Sequence, residues 1–114
     1  MKLPEELQED ARGATARVYS WNPKNLQLSV ELSAGAAGNR GVVVFDDVHH
    51  FCLPTAVQVE GVAATRCAEL PDSFWQHGAL DRGDFSDDEV FFVMSSPRGG
   101  RYFVVARDLD YDRV

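Results

Sequence analysis

A chain of 114 residues, 45% hydrophobic, 11% aromatic and 25% charged, has the composition of a folded protein and the length of one globular domain, 1–114. Its 18 acidic against 11 basic residues give a net charge of −7, a field that repels phosphate backbones and sets nucleic acid aside as a partner. No apolar run approaches the roughly 20 residues of a membrane helix, and Met1 to Glu6 carries charge without an apolar stretch, so neither membrane nor export is expected and a cytoplasmic location is.

Residues 1–12 hold Leu3 and Leu7 among acids, with Pro4 suited to a first helical turn, and read as a short helix or a frayed tail. From Thr15, Ala16, Val18 and Ser20 alternate with Arg17, Tyr19 and Trp21, which predicts a strand ended by the turn Asn22-Pro23-Lys24-Asn25. The cleanest alternation follows: Leu26, Leu28, Val30 and Leu32 on one face, Gln27, Ser29 and Glu31 on a wet one. Ser33 to Gly41 is a small-residue hairpin connection of a composition that suits mobility. Val42 to Phe45 predicts a third strand, ended by Asp46-Asp47, with Val48 to Leu53 as a bulge or edge before Pro54. Ala56, Val57, Val59 and Val62 predict another strand, with Thr65 to Leu70 as its partner across Gly61. Leu70 to Gly78 is a helical turn that Asp72 or Ser73 caps and Gly78 ends. Asp81 to Glu89 is an acidic loop.

The last third is the most informative. Val90 to Met94 and Tyr102 to Ala106 are nearly continuous apolar runs around Ser95 to Arg101, the pattern of a hairpin buried on both faces. A two-residue Arg98-Gly99 tip pairs Met94 with Phe103, Phe92 with Val105 and Val93 with Val104; a longer Ser96 to Gly100 loop beside Pro97 shifts every pair by one. The fold class expected is mainly β, with α+β as the variant: one antiparallel sheet-dominated domain of about six or seven strands, by the mean strand and connection lengths of globular proteins, with one or two short helices.

Three constellations carry possible chemistry. His49, His50, Cys52 and His77, with Cys67, are zinc-type ligands, yet their spacing matches no standard module and Cys67 has no neighbouring ligand, so no metal or other cofactor is expected. Cys52 and Cys67 read as buried thiols, and nothing marks either as an activated nucleophile. The loop bearing Asp81, Asp84, Asp87, Asp88 and Glu89 lacks the Gly and Glu positions of an EF-hand. Asp108, Asp110 and Asp112 share one face of an extended strand, with Leu109 and Tyr111 on the other. Trp21, Trp75 and Phe85 sit beside loops, as core rim or recognition surface. Neither a phosphate loop nor a nucleophile elbow is present, so catalysis is not expected.

In bulk properties alone, small size, acidity and β-richness, the chain resembles bacterial immunity and adaptor proteins. The function expected is therefore a non-catalytic binding module that meets a basic protein through Asp81, Asp84, Asp87, Asp88, Glu89, Asp108, Asp110, Asp112 and Tyr111. The alternatives are a small-molecule or metal-binding protein using His49, His50, Cys52 and His77, and a structural subunit whose two-faced hairpin is covered in a homodimer. The hairpin further predicts that the two acidic segments meet at the end opposite Arg98-Gly99.

Overall fold

Period-two patterning organises most of this chain, and the computed structural model, which describes residues 2–76 and 80–114, is mainly β. Helix α1 (Glu5–Ala11) is followed by β1 (Thr15–Asn22), β2 (Gln27–Ser33), β3 (Gly41–Cys52), β4 (Ala56–Gln58) and β5 (Gly61–Arg66). A short helix α2 (Asp72–Trp75) and two single 3₁₀ turns precede β6 (Val90–Ser95) and β7 (Arg101–Arg113). The strands form one seven-stranded sheet in the order β4-β1-β2-β3-β7-β6-β5, and every pairing is antiparallel. The Cα radius of gyration, 13.3 Å, is that of one compact body of about this length.

Strands β4 and β5 do not pair with each other across Gly61. They lie at opposite edges of the sheet although only Val59 and Glu60 separate them. Val59 N–H donates to Ala14 C=O at 2.8 Å and Glu60 N–H donates to Ser95 C=O at 2.8 Å, so one continuous segment passes from the β1 edge to the β6 edge. The sheet therefore curls until its two edges share that segment, which leaves few open backbone groups there. Val59, fully buried, anchors the crossing.

Inside the curl, Leu28, Val30, Leu32, Val43, Phe45, Phe92, Met94 and Val104 form the main core with Leu3, Leu7 and Ala11 of α1. A seven-residue helix does not hold itself together in water. Here the burial of Leu7, at about 2 kcal/mol, and of Leu3 and Ala11 docks it. The loop from Ser33 to Gly41 is tied across the end of this helix: Ala36 N–H donates to Arg12 C=O at 2.8 Å and Asn39 Nδ2 to Asp10 Oδ1 at 3.0 Å.

Four sequence expectations change locally. Leu26, expected in the apolar row, sits in the β1–β2 turn with φ of 54° and is exposed, while its carbonyl accepts from Val48 N–H. Asp46-Asp47 does not end β3; Asp47 takes φ of 54°, a conformation that Asp tolerates better than most residues, and the ladder with β7 resumes at Val48↔Ala106. The hairpin register is that of the longer loop: Phe92 faces Val104, Val93 faces Phe103 and Met94 faces Tyr102. Ser96 N–H donates to Gly100 C=O, Gly99 N–H donates to Ser96 C=O and Gly99 has φ of 82°, so Pro97, Arg98 and Gly99 make a three-residue turn with a glycine bulge. Helix α2 has no side-chain cap from Asp72 or Ser73, since Pro71 occupies the cap position; Gly78 lies outside the described residues.

Both faces of the hairpin are buried, as the unbroken apolar runs require. Phe92, Met94, Val104 and Ala106 face the main core. Phe91, Phe103 and Val105 face a second core that the segments 67–76 and 80–89 build on the outside, with Cys67, Leu70, Phe74, Trp75, Leu80 and Phe85. One chain thus covers both faces, and the hairpin alone gives no reason to invoke a second copy.

Candidate functional site

The outer face of β2, β3 and β7 is set by their register. Three cross-strand rows run across it: Glu31–Val42–Asp112, Ser29–Val44–Asp110 and Gln27–Asp46–Asp108. Val42 and Val44 are half-buried and the three aspartates of β7 are exposed, so a narrow apolar stripe is bordered by carboxylates. Asp46 and Asp108 are direct cross-strand partners, an arrangement of like charges that weakens pairing by some tenths of a kcal/mol. Gln27 Nε2 donates to Asp46 Oδ1 at 2.9 Å and relieves part of this. Glu31 is paired with Arg40 at 3.2 Å; among the described residues no cation pairs with Asp108, Asp110 or Asp112.

The second acidic segment is internally organised. Asp81 Oδ1 accepts from Gly83 N–H at 3.0 Å, and Glu89 Oε2 accepts from Ser86 N–H at 2.9 Å. Phe85 holds the loop down by packing 5.0 Å from Phe91 and 5.9 Å from Trp75, ring centroid to ring centroid. Asp88 and Glu89 line a shallow cavity with Asp47, His49 and Arg107, so the end of the loop meets the middle of β7, one residue short of Asp108. Asp81 and Asp84, in and before the 3₁₀ turn Arg82–Asp84, do not line that cavity.

Tyr111 is turned away from Asp110 and Asp112, the two aspartates that flank it. It packs against the main core, and its hydroxyl donates to Asp10 Oδ2 at 2.6 Å. Arg113 Nε donates to the same oxygen at 3.0 Å, and Arg113 Nη2 and Asn39 Nδ2 each donate to Asp10 Oδ1 at 3.0 Å. The Arg113 hydrogen bonds hold the Asp10 carboxyl at about 2, against the opposing effect of burial, with Tyr111 and Asn39 assisting. Burial, followed by the Asp10 carboxylate, pushes the Tyr111 phenol up. An acid near the C-terminus of a helix opposes its dipole, and these donors compensate for it. Tyr111 is therefore part of the clamp between α1 and β7 and not of the acidic face.

The histidines and cysteines divide among different surroundings. His49 Nε2 lies 3.6 Å from Asp47 Oδ2 on the exposed rim. His50 stacks over Phe103 with centroids 6.3 Å apart and meets Phe85 at 6.0 Å. Cys52 is exposed, contrary to the expectation of a buried thiol, whereas Cys67 is fully buried and burial raises its thiol pKa. Among the described residues no three His, Cys, Asp or Glu side chains converge as metal ligands; His77 lies outside them. Trp75 and Phe85 belong to the outer core, and Trp21, partly exposed, packs edge-on against Phe51 at 5.1 Å.

No family model, curated protein or solved structure matches the chain. The class to which the structure assigns it is architectural: a curled seven-stranded antiparallel sheet with a helix docked on its inner core and an acidic outer face.

Proposed function

We propose that the protein is a non-catalytic binding module, immunity-like or adaptor-like in role, that engages a basic protein partner through the outer face of β2, β3 and β7. The observation that carries this reading is the row Asp108, Asp110 and Asp112: three exposed carboxylates without a cationic partner among the described residues, one of them set directly against Asp46. A sheet holding like charges side by side is less stable than one alternating them, and a cationic surface removes that cost on binding. The half-buried Val42 and Val44 between the carboxylates supply an apolar centre within a charged border, the anatomy of a protein interface.

The test is titration with a lysine-rich peptide, comparing the wild type with the triple variant Asp108→Asn, Asp110→Asn and Asp112→Asn. The reading expects saturable binding that weakens tenfold or more when salt rises from about 0.05 to about 0.3 M, as the Debye length shortens, and that the triple variant abolishes. Equal binding by the variant overturns it.

A further inference from the structure

A cavity lined by described residues lies at the hairpin-tip end of the β3–β7 ladder, away from the aspartate row at the other end, and carries the opposite charge. Its volume is about 590 Å³, within the range of small-ligand sites, and it is lined by Phe51, Phe74, Leu80 and Phe103, the His50 ring, Ser73, Cys52, Gly99, Gly100 and Arg101. Three phenylalanines and a leucine make the walls apolar, and the His50 ring, stacked over Phe103 at an interplanar angle of 12°, continues them as a flat surface. At the hairpin end stands Arg101. Among the described residues of the lining it is the one Lys, Arg, Asp or Glu, in a chain of net charge −7, and no described carboxylate pairs with it. Gly99, at φ of 82°, has open space around it.

We propose that this cavity is a binding site for a small planar aromatic anion, a carboxylate or sulfonate whose ring system lies against Phe103, Phe74 and His50 while its charged end meets the Arg101 guanidinium. Charge complementarity selects the anion. A cation has no carboxylate to meet among the described residues of the lining, and a neutral apolar molecule leaves the guanidinium unused, whereas an anion gains a charge-assisted hydrogen bond from it. Aromatic walls favour a flat body over a branched one because ring pairs stabilise offset-stacked and edge-on contacts beyond their area. The site is independent of the acidic face and does not share a residue with it.

Cys52 supplies a reporter. It is exposed and lines the cavity, while Cys67 is fully buried, so iodoacetamide alkylates Cys52 alone in the native protein. The probe is 8-anilinonaphthalene-1-sulfonate, with the uncharged N-phenyl-1-naphthylamine as its control. The proposal expects one saturable site, at least fivefold slower alkylation of Cys52 at saturation, and at least tenfold weaker binding to Arg101→Gln, a change at an exposed position that leaves the melting temperature in place. Failure to saturate, binding to R101Q at wild-type strength, unprotected Cys52, or equal affinity for the uncharged control each overturns it.

Discussion

Replacing Asp10 with Asn tests how the two ends of the chain are joined. Asp10 is buried and accepts from Tyr111, Asn39 and Arg113. Its carboxyl titrates at about 2 when folded against an ordinary 3.8. At about 1.4 kcal/mol per unit this difference contributes at most about 2.5 kcal/mol, and the part of Arg113 that faces solvent reduces it to about 1.5–2 kcal/mol. The amide also loses acceptor capacity for Tyr111 and Asn39, which brings the expected cost of D10N near pH 7 to about 2–3 kcal/mol. For a domain of this size that is a fall in Tm of roughly 8–15 °C. Because the folded pKa lies below the unfolded one, the contribution of the carboxylate is complete above about pH 4 and disappears as pH falls towards 2. Melting curves across that range should show wild type and D10N converging at the acid end. A D10N melting temperature within about 2 °C of wild type at pH 7, or a gap that persists unchanged to pH 2, refutes the clamp.

Gly41→Ala should cost about 2 kcal/mol or more by thermal melting, because a methyl group there runs into the Tyr111 ring. Gly61→Ala, with open space and no positive φ, should stay within about 0.5 kcal/mol; equal costs contradict the packing of β3 on Tyr111. Phe91→Ala should remove about 3–5 kcal/mol in urea unfolding, since Phe91 joins Phe74, Trp75, Phe85 and Phe103 in the outer core; a loss below about 1 kcal/mol would mean that Phe74, Trp75 and Phe85 do not cover the hairpin. The triple aspartate-to-asparagine variant of β7 should melt slightly above wild type, by about 0.5 kcal/mol at low salt, as like-charge repulsion with Asp46 is relieved. A clear destabilisation would assign those carboxylates to the fold.

The chain shows its elements plainly wherever a pattern is local. Leu28, Val30 and Leu32 mark β2 because one face of that strand is wet, and the unbroken runs at Val90–Met94 and Tyr102–Ala106 mark a hairpin covered twice. What escapes the sequence is what depends on distant partners. The β4–β5 segment reads as one strand or a hairpin, since the change of edge at Val59 and Glu60 leaves no turn residue behind. The hairpin register turns on Pro97 and Gly99 acting together as a three-residue turn, a choice that alternation alone does not make. Asp47 looks like a strand end because aspartate usually is one, and only the resumed ladder with β7 shows it as a left-handed residue within β3. At the candidate site, the period of two places Asp108, Asp110 and Asp112 together from sequence alone, but Asp46 joins them only through β3–β7 pairing. The same period puts Tyr111 on the opposite face, but its partner lies 101 residues away, and no local signal announces Asp10. The cavity residues His50, Phe74, Phe103 and Arg101 come from three separate segments.

The measurement closest to the central claim is a map of amide chemical shifts as a lysine-rich peptide is added to the isotopically labelled protein. The account predicts shifts concentrated on residues 42–46 and 108–112 and on the neighbouring Gln27 to Glu31, collapsing at high salt and absent from the triple asparagine variant. Shifts scattered evenly over the eighteen acidic positions of the sequence, or centred elsewhere, would contradict it.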